Sequence, residues 1–431
     1  MTIAPAIARP TPTEPAKEDG AITTAVEAVW RIESSRVIAT LVRLTGDVGL
    51  AEDLAQDALV AALEQWPEQG IPRNPGAWLT AVAKRRAIDG WRRQSALRDR
   101  YESIAHALEV EGDEADPDDV IRDDLLRLVF ISCHPVLAPD SRIALTLRLL
   151  GGLSTDEIAR AFLVRSPAIG ARITRAKKTL SAARVPFEVP DRSEIASRLA
   201  TVLEVVYLIF NEGYSATSGG DWMRPALTQE ALRLGRILAN LTPREPEVHG
   251  LVALMELQAS RMGARTAPDG SAILLNDQDR TRWDRLQIGR GVAALARADA
   301  LGKARGPYAL QAALAACHAT APTAAATDWD EIVALYDALA QLTPSPIIDL
   351  NRAVAISMAK GPAAGLVAVD RLAGIGALAG YHLLPAVRGD ILARLGRTTE
   401  ARAEFERAAG MTRNEREREV LLGRADSTSG H

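Results

Sequence analysis

Between Arg165 and Arg184 the sequence places six basic residues and no acidic one. Arg165, Arg172, Arg175, Lys177 and Lys178, with Ser166 and Ala168 near the start of the run, suit neutralising phosphates and reaching base edges. An ordinary solvated helix face mixes both signs of charge, so the bias points to nucleic acid. A second basic run, Lys84, Arg85, Arg86, Arg92 and Arg93, is bracketed by Trp78 and Trp91. Charge interleaved with flat aromatic surface suits tracking a backbone and stacking on unpaired bases, although each tryptophan taken singly is as well explained as core. Asp89 lies four residues after Arg85 and three before Arg92, where it can orient both. No nucleophile and base arrangement and no phosphate-binding loop accompanies these runs, so the reading is of a binding protein without catalytic residues.

The elements that must carry these residues are helices. Ser154 and Glu157 have capping-box spacing, which opens a short helix at Thr155 with Ile158, Ala159 and Phe162 inward. After a break at Leu163 to Arg165, Ser166 reads as an N-cap and Pro167 as the first helical position. The helix that follows, to Ala183, buries Ile169, Ile173, Ala176 and Leu180 and turns Arg172, Arg175, Lys177 and Lys178 outward. Two helices across a tight break, the second basic, have the layout of a DNA-binding helix-turn-helix; a plain amphipathic hairpin shows similar periodicity without the charge bias. Gly170 costs this helix about 1 kcal/mol against alanine.

Upstream, Val26 to Thr45 reads as a helix through Val29, Ile32, Val37, Leu41 and Leu44, ended by Gly46. Leu50 to Trp66 reads as a second, with Leu54, Ala58 and Leu63 inward and Asp53, Gln56, Asp57 and Glu64 on its other side. A Pro- and Gly-rich loop then leads to a third, Pro75 to Arg93, which carries the first basic run.

With 431 residues, only 4% of them aromatic, and abundant alanine and leucine, the chain is expected to be all-α with two or three domains. Its formal charge of −4 excludes a uniformly basic protein but not concentrated basic surfaces. Cys133 and Cys317 are too isolated for a disulfide or zinc site, and the histidines lack metal-ligand spacing, so no metal and no cofactor is expected. No apolar run is long enough to span a bilayer and the Pro-rich opening lacks signal-peptide character, which gives an expected cytoplasmic location and a disordered tail over residues 1–24.

AEDLAQDAL at Ala51 to Leu59, WLTAVAKRRAIDGWRR at Trp78 to Arg93 and the helix-turn-helix together resemble the extracytoplasmic function (ECF) sigma factors of bacterial RNA polymerase. The resemblance departs at Arg85, where such factors often carry Asn. It implies a sigma-2 domain over residues 25–95 and a sigma-4 domain over 122–185. It also implies that Asp53, Gln56 and Asp57 contact the β′ clamp helices of core RNA polymerase, with the β flap as a further contact of the factor. The helix holding Trp78, Lys84, Arg85, Arg86, Trp91, Arg92 and Arg93 would read the promoter −10 element. Arg165, Ser166, Ala168, Arg172, Arg175, Lys177 and Lys178 would serve the −35 element. Residues 96–121 form an acidic linker; Glu102 to Asp124 holds ten acidic residues and one arginine, either a solubilising tether or an RNA mimic in a basic channel.

Residues 186–425 exceed what such a factor needs. Ala231, Gly235, Leu238 and Pro243 recur in spacing as Ile332, Tyr336, Leu339 and Pro344, and Gly365, Val369 and Leu372 recur as Ala401, Phe405 and Ala408. Gly389 and Gly396 ahead of Ala401 complete tetratricopeptide (TPR) spacing, so stacked helix pairs with a concave surface for a peptide or protein are expected. The resemblance extends to the ECF subgroup with a TPR-like extension, which stands in for a separate anti-sigma factor. Two stretches escape the repeat, Tyr207 to Pro225 and Arg265 to Arg285; Asn211, Glu212, Tyr214, Asp277, Asp279, Arg282 and Trp283 either line a pocket or serve as caps and buried polar contacts. The competing reading of the whole is a stand-alone helix-turn-helix regulator with a TPR-like sensor.

Overall fold

The computed structural model describes residues 15–93, 117–162, 164–191, 193–214, 223–267, 273–376, 378–412 and 415–427, without the side chains of 15–24, 90–93, 117–121 and 415–416. The regular elements among them are eighteen α-helices joined by turns and short 3-10 segments. Two compact units emerge: Met1–Arg160 with Val164–Val202, and Leu203–His431 with Ala161–Leu163.

In the first unit, α1 (Pro15–Thr45) buries Val26, Trp30, Ser34, Val37, Ile38, Leu41 and Val42, a helical stripe that makes it the central rod. The expected disordered segment 1–24 is therefore too long, because residues 15–24 are already helical: Pro15 can start a helix, and the single Gly20 is tolerated within it. Ile32 is 64% exposed rather than packed, since it lies off that stripe. Gly46, at φ +67°, ends α1 in the left-handed region where a side chain is strained. Asp47 then caps α2 (Val48–Gln69) by accepting from the Leu50 N–H at 2.9 Å. Helix α3 (Pro75–Arg93) rests on α1 and α2 through Leu79, Ala83 and Ala87.

Helix α4 (Pro117–Ser132) also packs on α1, and with α5 (Pro139–Leu149), α6 (Thr155–Ala161) and α7 (Ser166–Ala182) it forms the helix-turn-helix part. The acidic linker was expected to reach residue 121, but α4 begins at Pro117; residues 94–116 lie outside the described residues. The capping box is present: the Glu157 N–H donates to Ser154 Oγ at 3.1 Å, and the Ser154 N–H donates to Glu157 Oε2 at 2.8 Å. Ile169, Ile173, Ala176 and Leu180 form the buried stripe of α7. Ser166 is not its N-cap. Arg165 holds that position without a side-chain bond, and the Ser166 hydroxyl donates to Asp156 instead.

Helix α8 (Ile195–Tyr214) crosses the unit boundary, which moves the start of the second unit from the expected residue 186 to 203. The physical reason is that its first turns belong to the first unit, where Leu199 and Val202 are buried and Arg198 donates to the Phe130 carbonyl at 3.3 Å.

The second unit continues with α9 (Pro225–Leu241), α10 (Pro246–Ala259), α11 (Arg285–Ala300), α12 (Pro307–Thr320), α13 (Trp329–Leu342) and α14 (Pro346–Ala359). The last four are α15 (Pro362–Gly374), α16 (Leu383–Arg394), α17 (Thr398–Met411) and α18 (Glu415–Ser427). From α12 onward each helix packs on the next, the pattern of stacked hairpins. Most of the repeat positions are packing positions: Ala231, Gly235, Leu238, Ile332, Leu339, Gly365, Val369, Leu372, Ala401, Phe405 and Ala408 are buried, whereas Tyr336 is half-buried and Pro243 and Pro344 are exposed. Gly389 lets α16 and α17 close up, since a Cβ there would come within 3.0 Å of the Phe405 ring. Phe405→Ala should cost about 3–5 kcal/mol, read as a lowered urea midpoint for the second unit.

Burial and the guanidiniums of Arg261 and Arg280 hold His318, on α12, down at about 4 from an ordinary 6.5. A histidine whose pKa falls on folding stabilises fully above the unfolded value and loses that contribution as pH drops from 6.5 toward 4, here about 3 kcal/mol. Urea unfolding of His318→Phe should therefore weaken less across that window than the wild type does.

Candidate nucleic-acid interface

Helix α3 carries Lys84, Arg85 and Arg86 among and beside the buried Leu79, Ala83 and Ala87. Arg85 is exposed, and Lys84 and Arg86 are half-buried. Arg86 Nη1 lies 3.4 Å from Asp57 Oδ1 of α2. Trp78 is half-buried and meets the fully buried Trp66 edge-on, with ring centroids 5.2 Å apart, so it anchors α3 while keeping part of its face in solvent. The side chains of Trp91, Arg92 and Arg93 lie outside the described residues.

On α7 and its entry, Arg165, Ala168, Arg175 and Lys178 are exposed. Ser166 is half-buried on Asp156, and Arg172 is half-buried, 3.1 Å from Asp140 on α5. Lys177 departs from the expected outward orientation. It pairs with Glu52 of α2 and lies 3.5 Å from Asp53 Oδ1, with 19% of its side chain exposed.

On α2, Ala51, Leu54, Ala55, Ala58, Ala62 and Trp66 face the core. The opposite stripe, Leu50, Asp53, Asp57, Val60 and Glu64, advances by three and four residues and is exposed along its length, with Gln56 half-buried beside it. Leu63, expected inside, is 38% exposed and belongs to the rim of this stripe. Acidic residues interleaved with Leu50 and Val60 give a surface matched to a partner that is apolar and basic.

Sequence reasoning missed Glu52 and Arg148. Glu52 is almost fully buried; its carboxylate accepts from Arg148 Nε at 2.6 Å and from Lys177. Burial pushes its pKa up, but the two cations more than offset that and hold it below the ordinary carboxylate range. A usable signal existed: Glu52 sits beside Ala51 and Ala55 on the inward side of α2, and a charge there demands a basic partner. Sequence reasoning also missed Asp124 of α4, buried between Arg43 of α1, at 2.7 Å, and Arg127, at 2.8 Å. Burial outweighs both arginines there and raises its pKa.

The two stretches outside the repeat meet through a few residues. Arg261 donates to Tyr214 Oη at 2.9 Å, and the Arg265 guanidinium stacks over the Tyr214 ring at 3.7 Å. The rest do not converge: Glu212 pairs with Arg224, Asp279 caps Thr281, Asp277 and Arg282 are exposed, and Trp283 is buried under Arg280. Residues 215–222 and 268–272 of these stretches lie outside the described residues. Among the described residues no group of three metal-ligating side chains occurs, and no helix is long and apolar enough to cross a membrane.

Residues 30–97 match Sigma-70 region 2, residues 127–180 match Sigma-70 region 4, and residues 198–299 match a family of unknown function, DUF6596. An uncharacterized protein of Rhizobium meliloti (strain 1021) is 45% identical over 88% of this chain and 90% of its own. The probable ECF RNA polymerase sigma factor SigI of Mycobacterium tuberculosis is 28% identical over 42% of this chain and 67% of its own. The ECF RNA polymerase sigma factor BldN of Streptomyces coelicolor is 30% identical over 32% of this chain and 51% of its own. No solved structure matches. With both sigma regions in order along the all-helical chain, the protein belongs to the ECF RNA polymerase sigma factors.

Proposed function

We propose that this sigma factor binds core RNA polymerase through the exposed stripe of α2 and directs promoter-specific initiation, with α3 on the −10 element and α7 on the −35 element. The observation that carries the reading is that stripe: acidic and apolar side chains share one solvent-facing side of a helix whose other side is packed. Asp53, Gln56 and Asp57 contribute the polar contacts to the β′ clamp helices, and Leu50 and Val60 the apolar ones; the β flap is a further contact of the factor. Arg85, Arg86, Arg165, Arg172, Arg175, Lys177 and Lys178 supply phosphate and base contacts, and Trp78 an aromatic edge for an unpaired base.

The second unit regulates this activity and takes no catalytic part. Its hairpin array offers the kind of surface that binds a peptide or protein. Immobilised core polymerase tests the first step: the full chain should be retained at sub-micromolar concentration, with retention insensitive to duplex DNA. Tight operator binding with no retention on polymerase would favour a stand-alone regulator instead.

A further inference from the structure

In the second unit, Arg261, Arg280 and Arg285 gather past the C-terminal end of α10. The Asp284 N–H donates to the Ser260 carbonyl at 2.9 Å, which sets Arg261 beside segment 280–285. Arg261 donates to Tyr214 Oη at 2.9 Å, and Arg285 Nη2 to the Arg280 carbonyl at 3.4 Å. Arg280 Nη1 donates to the carbonyls of His318 and Ala321, at 2.6 and 2.8 Å, and its Nη2 to Thr327 Oγ1 at 3.3 Å. Every one of these acceptors is neutral, and among the described residues no carboxylate pairs with the three guanidiniums. The carboxylates nearest in sequence are turned elsewhere: Asp279 accepts from the Thr281 N–H at 2.9 Å, and Asp284 caps α11 through Leu286 and Gln287.

Arg280 is only 8% exposed, yet it stays charged and has dipoles alone as partners, an arrangement that buried charge disfavours. Burial, then Arg261 and Arg285, lower its pKa. Three buried nitrogens around it lack an acceptor among the described residues: Arg280 Nε, Trp283 Nε1 and His318 Nδ1. The Arg280 guanidinium lies 4.8 Å from the centre of the Trp283 ring and holds the His318 carbonyl, so one side chain ties the three together. Trp283 is 2% exposed, and its indole N–H can only donate. Buried donors are nearly always paired. Unpaired donors grouped on a buried cation, with further guanidiniums and no acid beside it, are what an oxyanion requires.

We infer that Arg261, Arg280, Arg285 and Trp283 form a binding site for a small, multiply charged oxyanion, the phosphate or polycarboxylate group of a soluble ligand. Arg280 forms its floor and offers Nε; Trp283 adds a neutral donor. Arg261, half-buried, and Arg285, exposed, stand nearer solvent and meet the anion first. Three guanidiniums attract a multiply charged group far more strongly than a singly charged one. The element over Trp283 is slight: Leu275, of the 3-10 turn Leu275–Asp277, packs against the apolar group around the indole, and Leu274 before it is 44% exposed. A ligand therefore has a three-residue turn to displace and not a helix. The site lies wholly in the second unit, so it stands independently of the polymerase and promoter roles proposed for the first.

Isothermal titration calorimetry on the full chain tests this with inorganic phosphate and with citrate, in chloride buffer of fixed ionic strength. At least one should bind at a single site with a sub-millimolar Kd, and the tighter of the two tells a phosphate ligand from a polycarboxylate one. Arg261→Gln and Trp283→Phe should each weaken that binding about tenfold or more. Neither side chain holds a helix end: Arg261 bonds Tyr214 Oη, and phenylalanine keeps the buried ring while removing its unpaired N–H. Circular dichroism establishes that both variants are folded. Arg280→Met is left aside because its guanidinium also holds the His318 and Ala321 carbonyls. The double change Arg172→Ala with Arg175→Ala should leave the Kd unaltered. No binding of either anion up to about 10 mM overturns the site. So does a wild-type Kd in both folded variants, or loss of binding in the α7 double variant, which would put the anion on the first unit.

Discussion

Changing Arg172 and Arg175 to alanine should lower affinity of the polymerase-bound factor for a −35 duplex on the order of a hundredfold. Arg175 is exposed with no acidic partner among the described residues, and Arg172 has only the outer carboxylate of Asp140. Both project from a helix fixed from behind by Ile169, Ile173, Ala176 and Leu180, so their removal leaves the fold within about 0.5 kcal/mol. Two lost phosphate contacts also reduce the slope of log affinity against log salt by about 2. Fluorescence anisotropy across a salt series gives both quantities, and retention on core polymerase should be unchanged. Loss of polymerase binding in this variant would place the docking surface on α7 and not on α2.

Reversing Asp53 and Asp57 to lysine should have the opposite pattern. Both are exposed on α2, so the fold tolerates them, but against a basic partner each like-charge contact costs several kcal/mol, and affinity for core polymerase should fall at least a hundredfold. The same change repels Arg86 and Lys177, which are now paired with these carboxylates. DNA affinity of the free protein should therefore rise or hold while polymerase binding collapses. Competition against a labelled sigma factor on core polymerase measures the first effect, and anisotropy on duplex the second.

Local rules made much of this chain legible. The capping box at Ser154 and Glu157, the stripe of Ile169, Ile173, Ala176 and Leu180, and the repeat spacing through Phe405 are all properties of a few neighbouring residues, and each recurs in the structure. Features that depend on contacts between distant segments were not legible. Lys177 looks like any outward cation on a helical wheel, and only the arrival of α2 turns it toward Glu52, 125 positions earlier in the sequence. Likewise Ile32 follows Val29 at a helical interval, but it lies off the stripe that α1 buries and is 64% exposed. The seam at residue 202 was invisible because α8 is a single uninterrupted helix, and no proline or glycine marks where its contacts change hands.

Run-off transcription from a pool of genomic promoter fragments, with purified core polymerase and the full-length chain, tests the central claim most directly. The account predicts transcripts from discrete start sites that require both proteins, that vanish with the lysine reversals on α2, and that vanish with alanine at Arg172 and Arg175. Duplex bound tightly by the chain alone, with core polymerase adding neither transcripts nor retention, would contradict it.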